Sequence, residues 1–221
     1  MLCRLSFAVS AKRIPTSGIQ ELLSLQDDLM WYIDQAAIRY EKGIHPKHRL
    51  MGYHRFFVER LKKGGRVLDV GCGYGAVAFS MAKASALVTG IDMDETNLRN
   101  ARKRYKHENL KFLFGDIRKD LPDGKFDVII MSNVLEHIKN RVGLLKTLED
   151  KFQPKLWLIR VPMFNRDWLV PLKKELHMPY YSDPTHCTEY TLESFEDEIA
   201  NAGLEVRRAE VKWGEIWAEV Y

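Results

Sequence analysis

Hydrophobic residues in the first part of the chain recur at helical spacing. Between residues 19 and 40 they return every three or four positions, which predicts an amphipathic helix. A second helical pattern covers residues 46–61 and is followed by a pair of glycines. Residues 1–18 carry no such pattern, and we expect a flexible tail there. The sequence therefore predicts a tail and an N-terminal helical cover within residues 1–63.

From residue 64 onward, short apolar strands alternate with helical stretches. Strands are predicted at residues 66–70, 87–91, 110–114, 126–131 and 156–161, and helices at residues 76–84, 95–105 and 141–152. The run Val128-Ile129-Ile130-Met131 is apolar throughout, as expected for a strand buried on both faces. This alternation predicts an α/β fold with a doubly wound, mostly parallel sheet and helices on both faces.

The pattern changes after the fifth strand. Four of the eight prolines fall within residues 162–190, so we expect an irregular insertion on the acceptor side. Thr191 is suited to cap a helix that follows. Two further strands at residues 204–211 and 215–220 would form a hairpin and complete a seven-stranded sheet. Residues 64–221 are thus predicted to form one domain.

The first strand runs into three alternating glycines and then into a helix. Glycine adopts positive φ and lets a ligand approach the backbone closely, so Gly71, Gly73 and Gly75 indicate a binding loop. Nucleotide-like ligands bind at this edge of an open α/β sheet. The spacing of Gly71, Gly73 and Ala76 also fits the G-x-G-x-x-G/A pattern of dinucleotide binders. The glycines alone therefore leave an NAD(P)-dependent oxidoreductase open.

Carboxylates at three strand ends favour a cationic ligand. Asp69 lies just before the glycines, where it would repel a pyrophosphate and attract the ammonium of an amino-acid moiety. Asp92 ends the second strand, where a carboxylate accepts the hydroxyls of a ribose in either ligand class. Asp116 follows the third strand, where it could accept from an adenine amino group.

These motifs together resemble the Rossmann-like (class I) S-adenosylmethionine-dependent methyltransferases, a group that carries VLDVGCGxG. The resemblance covers about residues 66–161 and includes Gly90-Ile91-Asp92, Gly115-Asp116-Ile117 and the run from Asn133 to Ile138. It implies the strand order 3-2-1-4-5-7-6 with an antiparallel seventh strand. It also implies methyltransferase activity with S-adenosyl-L-methionine (SAM) as the cofactor.

The resemblance further implies a role for individual residues along the carboxyl edge of the sheet. The methionine part of the cofactor would be surrounded by Asp69, Gly71, Gly73 and Gly75. Asp92 would hold the ribose, and Met93 would pack on the adenine. The adenine would be framed by Asp116 and Ile117, and Asn133 would lie near the sulfonium.

Candidate catalytic residues lie beyond the cofactor motifs. A hydroxyl acceptor needs a base, and histidine is the side chain best matched to neutral pH. We favour His186 first, with Asp183 as an orienting or binding carboxylate, and His137 second. Asp183, His186 and Glu189 match no known metal-ligand spacing, so we predict no metal.

Aromatic and basic residues suggest how an acceptor is held. His48 and Arg49 begin a helix that could cover the cofactor, and Trp168 and Tyr181 lie in the proline-rich insertion among polar residues. Aromatic rings mixed with hydrogen-bonding groups suit a sugar or another polar ring. We therefore expect methyl transfer to a small polar or glycan-type acceptor, at oxygen.

Composition narrows the function classes. The net charge is +4, and the basic run on the second helix of the predicted domain is expected to face solvent, so we expect no nucleic-acid partner. Three cysteines form no CxxC pair and fit a reducing, cytoplasmic setting, and no apolar run is long enough to span a bilayer. An RNA methyltransferase and a non-catalytic binding module remain alternatives, and the oligomeric state is not indicated.

Overall fold

A computed structural model describes residues 18–221, so all but the last residue of the predicted tail lie outside the described residues. The chain divides into two compact units. One comprises the residues up to Leu50 together with Trp168–Tyr180, and the other comprises Met51–Asp167 together with Tyr181–Tyr221. The division falls after residue 50, whereas the sequence suggested residue 63, and it assigns part of the proline-rich segment to the first unit.

The helices and strands follow in chain order. They are α1 (Gly18–Tyr40), α2 (Lys47–Met51), α3 (Tyr53–Val58), β1 (Arg66–Val70), α4 (Ala76–Lys83), β2 (Leu87–Asp92), α5 (Glu95–Arg104), β3 (Leu110–Phe114), β4 (Val128–Ser132), a 3-10 helix (Leu135–His137), α6 (Arg141–Phe152), β5 (Leu156–Pro162), α7 (Leu169–Glu175), α8 (Leu192–Asn201), β6 (Val206–Lys212) and β7 (Glu215–Val220). None of the helices within residues 18–221 combines the length and apolar character that crossing a membrane requires.

The first unit is built from α1 and α7. The side-chain amide of Gln20 donates a hydrogen bond to the carbonyl of Leu176 at 3.0 Å, and Lys173 pairs with Asp27. Helix α7 lies in the segment predicted to be irregular. Pro171 does not prevent this helix, because it lies in the first turn, where the missing N–H has no helical partner.

The second unit contains a seven-stranded sheet in the order β3-β2-β1-β4-β5-β7-β6. Strands β1 to β5 are parallel, and β7 runs antiparallel to both β5 and β6. The predicted fold class and strand order are confirmed. Because β1, β2 and β4 are parallel neighbours, the segments that follow them emerge at one edge of the sheet.

Apolar side chains cover both faces of this sheet. Trp157 from β5 packs on one face with Phe195 of α8, and Phe57 of α3 packs on the other. Full burial of a large apolar side chain contributes about 2 kcal/mol, so these layers hold the sheet edge rigid. The helix predicted over residues 46–61 is instead two short helices, because Gly52 adopts a left-handed φ of 66° between them.

Candidate functional site

The glycine loop joins β1 to α4 through three residues with positive φ. A Cβ on Gly71 (φ 64°) would lie 2.6 Å from a methyl carbon of Val134, and one on Gly75 (φ 77°) would lie 2.5 Å from the ring of Phe112. A Cβ on Gly73 (φ 51°) would meet nothing within 4 Å among the described residues. Packing therefore requires Gly71 and Gly75, whereas Gly73 borders open space at the edge of the sheet.

Asp92, at the end of β2, is joined to the glycine loop. One carboxylate oxygen accepts the N–H of Gly73 at 2.7 Å, and the other accepts the N–H of Asp94 at 2.8 Å. These two bonds fix the carboxylate beside the loop. Each oxygen keeps a lone pair for a ligand hydroxyl.

Asp69 is a buried carboxylate within β1. Its Oδ2 has no hydrogen-bond partner among the described residues. Burial, followed by the nearby charge of Asp92, raises its pKa to about 7. A buried carboxylate without a partner is costly, so this position is suited to a cationic ligand group.

The side of the edge predicted for adenine is open. Met93 and Phe114 are both 62% exposed, whereas Ile117 is buried. The carboxylate of Asp116 accepts two bonds of 2.7 Å from the guanidinium of Arg118, which lowers the pKa of Asp116. Asp116 is thus already paired, and any bond to an adenine amino group would use its remaining lone pairs.

A buried arginine that the sequence analysis missed lies at the neighbouring strand end. Nε of Arg160 in β5 donates to Oδ1 of Asn133 at 3.2 Å, and its guanidinium lies 3.8 Å from the centre of the Tyr53 ring. Arg160 is 4% exposed, and its Nη1 has no partner among the described residues. Its one sequence signal is a cation inside the otherwise apolar run Leu156–Pro162.

The same arginine links the two sides of the edge electrostatically. The charge of Arg160 acts on the pKa of Tyr53 and on that of the buried Glu136, while the charge of Asp69 raises the pKa of Tyr53. Burial raises the pKa of Tyr53 to about 12 and that of Glu136 to about 8, and Arg160 lowers both. A continuous buried polar layer thus runs from the glycine loop to the turn after β4.

That turn contributes to what we call the acceptor-side cluster: Glu136, His137 and His186. One potential ligand atom from each residue lies within 4.8 Å of the other two. The rings of His137 and His186 are 4.6 Å apart, and Nε2 of His186 lies 4.0 Å from Oε1 of Glu136. The cluster joins two segments, since His137 and His186 are 49 residues apart in the sequence, and the sequence analysis did not identify Glu136 as part of it.

Backbone bonds hold the two segments together. The N–H of Cys187 donates to the carbonyl of Glu136 at 2.7 Å, and the N–H of Tyr190 donates to the carbonyl of Pro162 at 3.1 Å. Because both bonds anchor residues just after His186, its ring is positioned by the sheet edge and not by the insertion alone.

Each histidine of the cluster is oriented through Nδ1. His186 contacts Oε1 of Glu189 at 3.1 Å, and His137 contacts Oγ1 of Thr185 at 2.8 Å. Thr185 in turn donates to Asp183. The expected orienting partner of His186, Asp183, therefore lies on the His137 side through Thr185, and Glu189 orients His186.

Glu189 is fully buried and strongly hydrogen-bonded. It accepts from Ser182 and pairs with Arg166 as well as with His186. Burial alone would raise its pKa, but these hydrogen bonds outweigh burial and lower it to about 2. Glu189 is therefore ionised and draws the Nδ1 proton of His186 toward itself.

The remaining predicted residues divide between the two units. His48, Arg49 and Trp168 belong to the first unit, where Arg49 pairs with Glu41. Tyr181 belongs to the second, and its hydroxyl donates to the carbonyl of Cys187 at 3.2 Å, near His186. A cover role for the first three residues stays a prediction.

A family model described as "Methyltransferase domain" matches residues 43–209, which is more than half of the chain. The chain belongs to this family. The methyltransferase is 34% identical over 100 residues to a ubiquinone biosynthesis O-methyltransferase of Bordetella parapertussis, a match that covers 43% of this chain and 41% of the relative. It is 37% identical over 83 residues to an uncharacterized methyltransferase of Mycobacterium bovis, covering 37% and 42%. The matched part thus spans less than half the length of these relatives.

Solved structures show the same fold. The methyltransferase superposes on magnesium protoporphyrin IX methyltransferase from Synechocystis PCC 6803 with bound SAH, with a TM-score of 0.62 at 18% identity, covering 79% of this chain and 82% of that one. SAH is the demethylated form of SAM. The family match decides between the two interpretations of the glycine loop in favour of a methyltransferase domain, for which SAM is the cofactor.

The residues at the sheet edge fit SAM. The unpaired oxygen of buried Asp69 matches the ammonium of its methionine part. The open space at Gly73 is what a Cβ would fill, beside the fixed carboxylate of Asp92. When bound, SAM supplies an electrophilic methyl group on a sulfonium.

Proposed function

We propose that this methyltransferase transfers the methyl group of SAM to an oxygen atom of a small polar acceptor, of phenol, ring-hydroxyl or glycan type. The observation that carries the proposal is the acceptor-side cluster, which lies one strand away from the glycine loop. Val134, two residues before Glu136, touches the loop at Gly71, so the two sites are adjacent. A neutral hydroxyl is a weak nucleophile, so an oxygen acceptor gains most from such a group of side chains.

On the cofactor side, each residue has a distinct task. Asp69 pairs with the ammonium of the methionine part of SAM. Nη1 of Arg160 is a buried donor suited to the carboxylate of the same methionine part. Asp92 accepts the ribose hydroxyls while it holds the loop through Gly73. Met93 packs against the adenine, which Asp116 and Ile117 frame. Asn133, which accepts a hydrogen bond from Arg160, would lie near the sulfonium.

On the acceptor side, the cluster deals with the proton. A hydroxyl loses its proton as its oxygen forms a bond to the methyl carbon, while the sulfur–carbon bond breaks and its electron pair stays on sulfur. Potential proton-accepting or ligand atoms of Glu136, His137 and His186 lie within 4.8 Å of one another, so the cluster can assist the loss of the hydroxyl proton. Such assistance contributes about 10²–10⁴-fold to a rate.

The space beside the cluster suits a small molecule. A cleft of about 700 Å³ is lined by His137, Thr185 and Cys187 on one side and by Asn140, Lys139 and Arg118 on the other. This volume lies within the range of small-molecule sites, and the lining combines polar side chains with apolar ones such as Ile138 and Leu144. The relative from Bordetella parapertussis is named an O-methyltransferase, which supports oxygen as the acceptor atom.

An acceptor panel tests the proposal. The full chain is incubated with SAM and separately with catechols, phenols, sugars, amines and an RNA oligonucleotide, and SAH release is measured. We expect turnover with hydroxyl compounds and an O-methyl product by mass spectrometry and NMR. Methyl groups found on nitrogen or on RNA would contradict the proposal.

Single substitutions then test which side chains take part in the methyl transfer. His186→Asn is expected to lower kcat about 100-fold with little change in the affinity for SAH, because its ring belongs to the acceptor side. His107→Asn is the matched control, since His107 caps a surface turn through Asn109 and should leave kcat unchanged. Full activity in the His186 variant would remove the cluster from the mechanism.

A further inference from the structure

The acceptor-side cluster brings together three groups with lone pairs, and no hydrogen bond joins one of these groups to another among the described residues. Thr185 donates its hydroxyl proton to Asp183, so it accepts from Nδ1–H of His137. Oε1 of Glu189 likewise lies 3.1 Å from Nδ1 of His186 and accepts its N–H. With each Nδ1 protonated, both neutral imidazoles present a bare lone pair at Nε2.

Glu136 adds a third lone-pair donor to the same point. It is fully buried, and neither carboxylate oxygen accepts a hydrogen bond from another residue among residues 18–221. Its Oε1 lies 4.0 Å from Nε2 of His186, which is too far for a hydrogen bond. At this distance a proton on Glu136 does not bridge to His186, so a metal ion that replaces that proton and binds all three groups would satisfy them together.

We propose that Glu136, His137 and His186 form a binding site for one divalent transition-metal ion of the Zn²⁺ or Co²⁺ type. Two imidazole nitrogens and one carboxylate oxygen are the ligands these ions favour, whereas Mg²⁺ and Ca²⁺ prefer oxygen alone. The proposal departs from the expectation drawn from the sequence, because Asp183 and Glu189 are not ligands but orient the ligand histidines.

The surroundings of the three ligands match those of metal sites in general. Metal-ligating histidines donate their other ring N–H to a carboxylate, a carbonyl or a similar acceptor, as His186 does to Glu189 and His137 does to Thr185. Metal–ligand bonds of about 2.0–2.2 Å would draw the ligand atoms together by roughly an ångström from their present separations. Rotation of the two histidine side chains suffices for a shift of this size.

Three protein ligands leave coordination positions open. His137 lines the cleft next to the cluster, so an acceptor hydroxyl entering the cleft could reach the ion. A divalent ion lowers the pKa of a hydroxyl that binds it, and the released proton passes to solvent. This role rests on the proposed function, because it assumes a hydroxyl acceptor. The binding site itself does not.

Metal binding can be measured without acceptor or SAM. Untagged, metal-free full chain is titrated with Co²⁺ and followed by the visible absorption of the ion and by calorimetry. We expect one equivalent to bind with a Kd in the micromolar range or below, and Mg²⁺ in excess not to displace it. Failure of the folded chain to bind Co²⁺ below millimolar concentration would overturn the site.

Single substitutions locate the ion. Glu136→Gln keeps the shape of the side chain, and it and His186→Asn should each weaken Co²⁺ binding at least 100-fold with an unchanged circular dichroism spectrum. His107→Asn, which removes a histidine of the same unit, should bind as the unmodified chain does. Unchanged affinity in both cluster variants would show that the ion binds elsewhere and would overturn the assignment.

The outcomes separate this site from the proposed function. A chain that methylates hydroxyl compounds equally well after chelation and that binds no Co²⁺ refutes the metal site and retains O-methylation. A chain that binds Co²⁺ through Glu136 but methylates only amines retains the metal site and refutes O-methylation.

Discussion

The cofactor edge and the acceptor-side cluster are built in different ways. The glycine loop and Asp92 lie within 22 residues of one another, and each belongs to a short strand-to-helix connection. The cluster instead needs the turn after β4 and the segment that carries His186, 49 residues after His137, held together by backbone bonds to Glu136 and Pro162. The first is a local motif on a rigid sheet, and the second depends on tertiary structure. Cofactor binding should therefore tolerate changes in the cluster, while catalysis should not.

Gly73→Ala should give the largest effect on the cofactor side. Its Cβ would enter the space that the cofactor needs, and no neighbour within 4 Å would be displaced in the described part of the chain. We expect SAM affinity to fall at least 100-fold in a folded protein, measured by calorimetry.

Gly203→Ala is the matched control for that substitution. Gly203 also has positive φ, at 82°, and no neighbour within 4 Å among residues 18–221, but it follows α8 away from the loop. Both variants therefore carry a similar left-handed strain of about 1–2 kcal/mol. Equal SAM affinity in the two variants would show that Gly73 does not border the cofactor.

Cofactor affinity should also depend on pH through Asp69. The pKa of this buried carboxyl is about 7, so it is protonated at lower pH and must lose its proton to pair with an ammonium. SAM affinity should therefore rise with pH and level off above 7, with about a tenfold gain between pH 6 and pH 8. Calorimetry at several pH values measures it.

Asp69→Asn isolates this contribution. The variant should bind SAM more weakly at pH 8 and with little pH dependence over the same range. If the unmodified chain already binds equally well at pH 6 and pH 8, Asp69 does not pair with the cofactor.

The smallest expected effect concerns stability alone. The Thr191 side chain accepts the N–H of Ser194, and Ser194 returns a bond to Thr191, which closes a capping box at the start of α8. Thr191→Ala should lower the free energy of unfolding by about 1 kcal/mol, measured by urea denaturation. SAH affinity should be unchanged, and a parallel loss of it would mean that this helix supports the cofactor edge after all.

The same contrast explains what the sequence could predict. The period of apolar residues located the strands of the sheet, and the glycine loop with Asp92 marked its binding edge, because these signals are local. Helix α7 was missed because prolines mask a short helix that tolerates Pro171 in its first turn.

The cluster was recognised only in part. His137 and His186 could be proposed from their chemistry, but Glu136 belongs to no spacing pattern in the sequence, and its role becomes visible only when the 181–190 segment folds against it. The sequence analysis missed Arg160 for a related reason, since its partners Tyr53 and Asn133 come from distant parts of the chain.

The separate roles of the cofactor edge and the acceptor-side cluster are tested most directly by measuring the SAH affinity of two variants in parallel. Asp92→Asn should lose at least tenfold, or about 1.4 kcal/mol, because it weakens both the ribose contact and the hold on Gly73. His186→Asn should stay within about twofold of the unmodified chain. An Asp92 variant that binds SAH normally, or a His186 variant that loses SAH as strongly, would contradict the account.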